Sequence, residues 1–292
     1  MTIIDERCRR APAEPLRPYV AWYAGYRQRG LAPARHRGLP SPYLTLIFTL
    51  DEPITMAAHP DPGQPPGEFG TLLGGLHRTP ALIAHEGAQS GIQLALRPLG
   101  TRMLLGLPAG ELADIDIPAE TVLGGVGAEL HDRVRRASGW RERFAVLDEM
   151  LLGIMGRLVA AAPDVAPEVG WAWHRLLRSA GLLRVSALAA ETGWSSRHLT
   201  SRFRTEIGLT PKAAARVIRF TRTRQLLAAQ AVAGQLRLAE LAVTCGYFDQ
   251  AHLAREFRAL AGCPPSRWLA EEFRNVQAAG ALAEAAWTDP AW

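Results

Sequence analysis

One pattern occurs twice between about Val185 and Trp268, and nothing else in this sequence leaves the fold so few options. The first copy reads Leu188-Ala189-Ala190-Glu191-Thr192-Gly193-Trp194, followed by a helical run through Leu199 and Phe203. The second reads Leu241-Ala242-Val243-Thr244-Cys245-Gly246-Tyr247, followed by a run through Leu253 and Phe257. Each copy closes on a glycine and then proline: Gly208 with Pro211, and Gly262 with Pro264 and Pro265. A repeated unit of short helix, glycine turn and second amphipathic helix is the grammar of a helix-turn-helix, and two copies predict a tandem arrangement.

Charge singles out the same region. Residues 171–275 carry +9, whereas residues 1–170 and 276–292 each carry −2, which together return the chain's +5. A basic block beside a weakly acidic remainder implies a polyanionic partner for that block alone. The 292 residues suggest about two domains. The three cysteines, Cys8, Cys245 and Cys263, are too scattered for a disulfide framework or a four-thiolate zinc site. Met1–Arg10 lacks the apolar core of a secretory signal, and no run of about 18 apolar residues is present, so a cytoplasmic, nucleoid-associated protein with no membrane partner is expected.

The front of the chain reads as strands. In Tyr43–Leu50, Leu44, Leu46, Phe48 and Leu50 fall on one face and Thr45 and Thr49 on the other. Ile92–Leu96 alternates similarly, and shorter candidates lie at Tyr19–Arg27, Thr71–Leu73 and Ala81–His85. Residues 59–67, with four prolines and two glycines, are expected to be a surface loop. Past Pro98 the period becomes helical, over Thr101–Leu107, Glu120–Arg136 and Trp140–Val159. In the last of these, Trp140, Phe144, Leu147, Leu151, Ile154 and Leu158 form a narrow seam at heptad spacing. Such a seam serves either to pack the helix on its own barrel or to pair two copies into a homodimer through 140–158. Pro163 and Pro167 mark residues 161–170 as a linker. The expected organisation is a front domain over 1–160, the linker, a helical domain over 171–275, and an alanine-rich tail over 276–292.

Within the first copy, Val185–Thr192 is a short helix, Gly193 takes the turn and Ser195 caps a helix from Ser196 to about Ile207. Leu199, Phe203 and Ile207, spaced by four, must face inward. The opposite face carries Arg197, Ser201 and Arg204, flanked by Ser196, His198 and Thr200. An arginine at such a helix start can fork onto a guanine edge. In the second copy Asp249 caps, Leu253 and Phe257 face inward, and Gln250, Ala251, Ala254, Arg255 and Arg258 face outward with His252 beside them. Gln suits adenine, and an alanine suits a thymine methyl. A joining helix, capped by Thr210 and started by Pro211, runs to about Ala229. Its nineteen residues span roughly 28 Å, close to the ~34 Å between successive major grooves on one duplex face. Arg216, Arg219, Arg222 and Arg224 on it are candidates for phosphate contacts.

These residues carry a resemblance. The succession Leu188-Ala189, Gly193, Ser195, Leu199, Arg202-Phe203, Gly208, Pro211, and then Leu241-Ala242, Gly246-Tyr247, Asp249-Gln250, His252-Leu253, Arg255, Phe257-Arg258, Gly262, Pro264-Pro265-Ser266 and Trp268, resembles the DNA-binding domain of the AraC/XylS family of transcription regulators. The resemblance covers a little over a third of the chain. It implies that Ser196, Arg197, Thr200, Ser201, Gln250, Ala251 and Arg255 contact double-stranded DNA, and that RNA polymerase is a further partner. Family members usually fuse this unit to an effector-binding front domain, often a cupin-like barrel. The run Arg97-Pro98-Leu99-Gly100 through Glu111-Leu112 resembles a motif of one group of such front domains and names no ligand.

No enzyme signature accompanies it. Metal-using cupins need closely paired histidines, but His36, His59, His77 and His85 are isolated, so no metal and no cofactor is expected. No Gly-x-Ser-x-Gly, Gly-x-Gly-x-x-Gly or phosphate-loop motif is present. Candidate lining groups for a small-molecule effector are Tyr23, His36, Tyr43, Phe48, His85 and Gln93. The chain therefore reads as a multidomain α+β protein, a β-rich cupin-like front domain with trailing helices before an all-α tandem helix-turn-helix. The alternatives are a front domain that only dimerises or meets polymerase, or a metal-free cupin-like enzyme joined to a DNA-binding unit.

Overall fold

Among the described residues the front half holds ten strands. They are β1 (Ile4–Arg10), β2 (Val20–Arg29), β3 (Ala34–Gly38), β4 (Leu44–Thr49), β5 (Ile54–Ala58), β6 (Gly67–Phe69), β7 (Thr71–Gly74), β8 (Ala81–His85), β9 (Gln89–Leu96) and β10 (Asp116–Ile117). The computed structural model describes residues 3–158 and 165–272. The strands form a six-stranded sheet in the order β1-β2-β9-β4-β7-β10 and a four-stranded sheet in the order β3-β8-β5-β6. Neighbours in the first sheet are antiparallel throughout. The cupin-like expectation is met by two sheets rather than by one closed ring.

Four helices follow: α1 (Thr101–Leu105), α2 (Glu120–Leu123), α3 (Gly125–Arg136) and α4 (Trp140–Leu158). The expected single helix over Glu120–Arg136 is broken, because Gly124 adopts φ +57°, a left-handed value that ends one helix before the next begins. One face of the large sheet supports this layer. Tyr23 stacks on Phe144 at 6.0 Å between ring centres, and Phe48 meets His131 at 6.0 Å. Gly25 makes the close approach possible, since a Cβ there would overlap the Trp140 ring.

The heptad seam is consumed in that packing. Phe144, Leu147, Leu151 and Ile154 are all buried within the front unit. A homodimer through 140–158 therefore loses its basis, since the seam already faces its own chain. The 59–67 loop is likewise more than a surface excursion. His59 is buried with Nδ1 2.8 Å from Asp116 Oδ2, and the Gln64 amide bonds both the N–H and the carbonyl of Asp116.

The remaining helices are α5 (Pro167–Arg178), α6 (Val185–Thr192), α7 (Ser196–Ile207), α8 (Pro211–Val232), α9 (Leu238–Thr244), α10 (Gln250–Ala261) and α11 (Pro265–Glu272). α5 starts at Pro167, so the last residues assigned to the linker are helical. Residues 161–164 of the linker and all of the 276–292 tail lie outside the described residues. Contacts divide the chain into two units. The second comprises the chain from Val165 onward together with His36–Pro42 and His77–Ala81. Its core runs through Trp173, Phe203, Phe220, Phe257 and Trp268, all buried.

Candidate nucleic-acid interface

Each copy of the repeat builds the same small head. In the first, Gly193 turns the chain at φ +69°. The Ser195 hydroxyl then accepts from the His198 N–H at 3.2 Å and caps α7. Trp194 packs edge-on against the His198 ring at 4.5 Å. In the second, Gly246 turns at φ +73°. Asp249 accepts from the His252 N–H at 2.6 Å and caps α10, while Tyr247 packs edge-on against His252 at 5.3 Å. A carboxylate cap also places negative charge where the helix dipole favours it.

The inward faces are as the spacing predicts. Leu199, Phe203 and Ile207 on α7 and Leu253 and Phe257 on α10 are buried. Outward, Ser196, Arg197, His198, Ser201 and Arg204 are exposed and Thr200 is half-buried. On α10, Gln250, Ala251, Arg255 and Arg258 are exposed, with His252 half-buried. Among the described residues none of Arg197, Arg204, Arg255 and Arg258 is held by a carboxylate. Four guanidinium groups thus stand on the outward faces of two capped helices, able to fork onto base edges or phosphates. Arg202, also exposed, is not among the expected DNA contacts because it sits beside Phe203 rather than on the outward stripe.

The joining helix departs from expectation. α8 spans 22 residues, about 33 Å at ~1.5 Å per residue, and Thr210 caps it through the Ala213 N–H. Its arginines, however, are largely spent inside the unit. Arg216 forks onto Glu256 at 2.8 and 3.0 Å. Arg219 lies over the Tyr247 ring at 5.2 Å, and Arg224 is buried. Only Arg222 of the four is exposed. Of the four phosphate candidates, Arg222 is thus the one left open to solvent, because a guanidinium tied to a carboxylate or packed in a core is not offered to DNA.

A pocket of about 380 Å³ lies where the α5–α6 connection, α8 and the end of α9 meet, lined by Arg178, Ser179, Leu182, Leu183, Arg222 and Cys245. Burial pushes the Cys245 thiol pKa up, partly offset by Thr223 and the arginines. No sequence pattern links its walls, which come from three separate stretches.

The six effector candidates of the front half do not converge. Tyr23, Leu94, Leu46 and Leu73 lie opposite one another across the large sheet, as do Gly25, Ile92, Phe48 and Thr71. Both rows face the helices. Gln93, in register with Ala24 and Ile47, points to the other face. Tyr23 is fully occupied: its hydroxyl donates to Asp148 at 3.1 Å, and Asp148 also accepts from the Ala13 N–H and pairs with Arg10. Burial, with Asp148 beside it, holds that phenol far above its usual pKa. His85 is on β8 of the second sheet, where burial pushes its pKa down and its Nδ1 accepts from the Gly87 N–H at 3.1 Å. His36 belongs to the second unit, and Tyr43 precedes β4. On the large sheet, then, Tyr23 and Phe48 share one face and Gln93 lies on the other. No group of three or more His, Cys, Asp or Glu residues that could hold a metal occurs among the described residues, and no described helix is long and apolar enough to cross a membrane.

A family model described as a helix-turn-helix domain matches residues 188–271. A second, described as a domain of unknown function (DUF6597), matches residues 9–118. No curated protein matches the sequence. Among solved structures, ToxT from Vibrio cholerae superposes with a TM-score of 0.50 at 11% identity, over 93% of this chain and 99% of that one. A second ToxT structure, from Vibrio cholerae O395, gives 0.50 at 12% identity over 86% and 97%. At that identity the likeness is one of fold: a strand-rich front half followed by a helical, two-headed C-terminal half.

Proposed function

We propose that the chain is a transcription regulator of the AraC/XylS type and that it binds specific DNA sites by inserting α7 and α10 into successive major grooves of one duplex face. The observation that carries this reading is the set of exposed arginines, Arg197, Arg204, Arg255 and Arg258, on the outward faces of two capped helices joined by one continuous helix of 22 residues. Half-sites one helical turn apart, ~34 Å, suit a connector of that length. Direct base contacts come from Arg197, Ser201, Gln250 and Ala251, while Arg204 and Arg258, farther along their helices, hold phosphates.

The front unit takes the regulatory role, admitting a small-molecule effector. Its helix-covered face is filled by Trp140 and Phe144, so an effector enters from the opposite face of the large sheet, the side of Gln93, or from the second sheet. Contact with RNA polymerase belongs to the same proposal. Pairing of two copies requires a surface other than the 140–158 seam, which lies buried in the front unit.

The test is selection of bound sites from random DNA, followed by binding of Arg197→Ala to the selected site. The variant is expected to lose about 1–3 kcal/mol on that site and little on unrelated DNA. Equal loss on both would make Arg197 a phosphate contact. Affinity that does not fall with salt would remove the polyanion partner altogether.

A further inference from the structure

The two heads differ in one inserted residue. From turn glycine to helix cap the first head has a single residue, Trp194, between Gly193 and Ser195, whereas the second has two, Tyr247 and Phe248, between Gly246 and Asp249. Tyr247 is the structural counterpart of Trp194, because each packs edge-on against the histidine three residues past its cap. Tyr247 is 5% exposed, lies under Arg219 and shares a hydrogen bond with the Thr223 hydroxyl. The extra residue is therefore Phe248, and the fold makes no use of its ring. It is 89% exposed, more than any other large apolar side chain among the described residues.

Scattered surface apolar residues need no explanation, but this one is held in place. The Phe248 N–H donates to His252 Nδ1 at 3.3 Å, and the His252 N–H donates to Asp249. These two bonds lock the turn and present the ring at the same end of α10 that carries Gln250 and Ala251. A phenyl group offers no hydrogen bond. In the major groove the one apolar feature it can meet is the C5 methyl of thymine.

We propose that Phe248 is a specificity-determining residue that packs against a thymine methyl in the site read by the second head. This rests on the DNA-binding reading above. It assigns to the weaker-charged head a preference drawn from apolar contact rather than from a guanidinium fork.

The test uses the full chain and a site selected from random DNA. Each thymine in the half-site read by α10 is replaced singly by deoxyuridine, which pairs identically and lacks only the methyl. For the unmodified protein, one replacement is expected to weaken binding roughly fourfold, the weight of one buried methyl. Phe248→Ala should bind the all-thymine site at least that much more weakly and be indifferent to the same replacement. Phe248→Leu, which keeps an apolar group, should retain the sensitivity. If Phe248→Ala binds as the unmodified protein does, or if the two changes are additive at every thymine, the inference is overturned while sequence-specific binding stands. If the unmodified protein selects no sequence, the DNA-binding reading falls and takes the inference with it.

Discussion

The two heads share an interior and differ in most of what they turn outward, although each exposes an arginine nine residues past its cap, Arg204 and Arg258. Each has a left-handed glycine, an aromatic set edge-on to a histidine, and a side-chain cap. What changes is the exposed stripe: Ser196, Arg197, Ser201 and Arg204 on α7, against Phe248, Gln250, Ala251 and Arg255 by and along α10. The attachment changes too. Head two is bound to α8 by the Arg216–Glu256 fork, by Tyr247 against Thr223, and by Phe220 edge-on to Phe257 at 5.0 Å. Head one has Trp173 against Phe203 at 6.1 Å and the close pass of Gly181 beneath Ala215. A repeated unit thus keeps what folding requires and varies what recognition requires.

Removing the central ring of each head should break the comparison most strongly. Phe203→Ala and Phe257→Ala should each cost about 3–5 kcal/mol in denaturant unfolding. Phe257→Ala is expected to be the larger, because that ring touches both Phe220 and Trp268. Equal losses would mean that the second head is no more tightly held than the first. The glycines come next. Gly181→Ala combines φ +74° with an overlap on the Ala215 carbonyl oxygen, whereas Gly193→Ala has φ +69° and open space around it. Thermal unfolding should show about 1–2 kcal/mol for Gly193→Ala, the left-handed penalty alone, and clearly more for Gly181→Ala. The smallest effect belongs to the caps. Ser195→Ala and Asp249→Ala should each cost about 0.5–2 kcal/mol.

The helical half was legible in the sequence because its signals are local. Caps at Ser195, Thr210 and Asp249, turns at Gly193 and Gly246, and the four-residue spacing of Leu199, Phe203 and Ile207 each declare themselves within a dozen residues. What escaped depended on distant partners. Nothing near Arg216 says that Glu256, forty residues on, will claim it. The 140–158 seam shows a stripe but not its partner, which proved to be Tyr23 and Gly25 on a strand more than a hundred residues earlier. In the front half, β1 hides because it is an edge strand rich in charge, with only partial burial along it. The effector candidates on the large sheet divide between its faces for a reason of register. Whether Tyr23 and Gln93 share a face depends on which residues lie opposite one another across β2 and β9, and composition does not say.

A connector that is a single helix has no slack. Phe220 and Arg216 fasten the first half of α8 to the second head, and Ala215 beside them seats the α5–α6 turn on the same stretch, so on this packing the spacing of the two heads belongs to the protein and not to the DNA. On the proposed reading, an operator lengthened between its two motifs by about five base pairs, half of the ~10.5 in a turn, would carry the second motif round to the far side of the duplex. Promoter architecture would then be constrained by torsional phase as strictly as by base sequence.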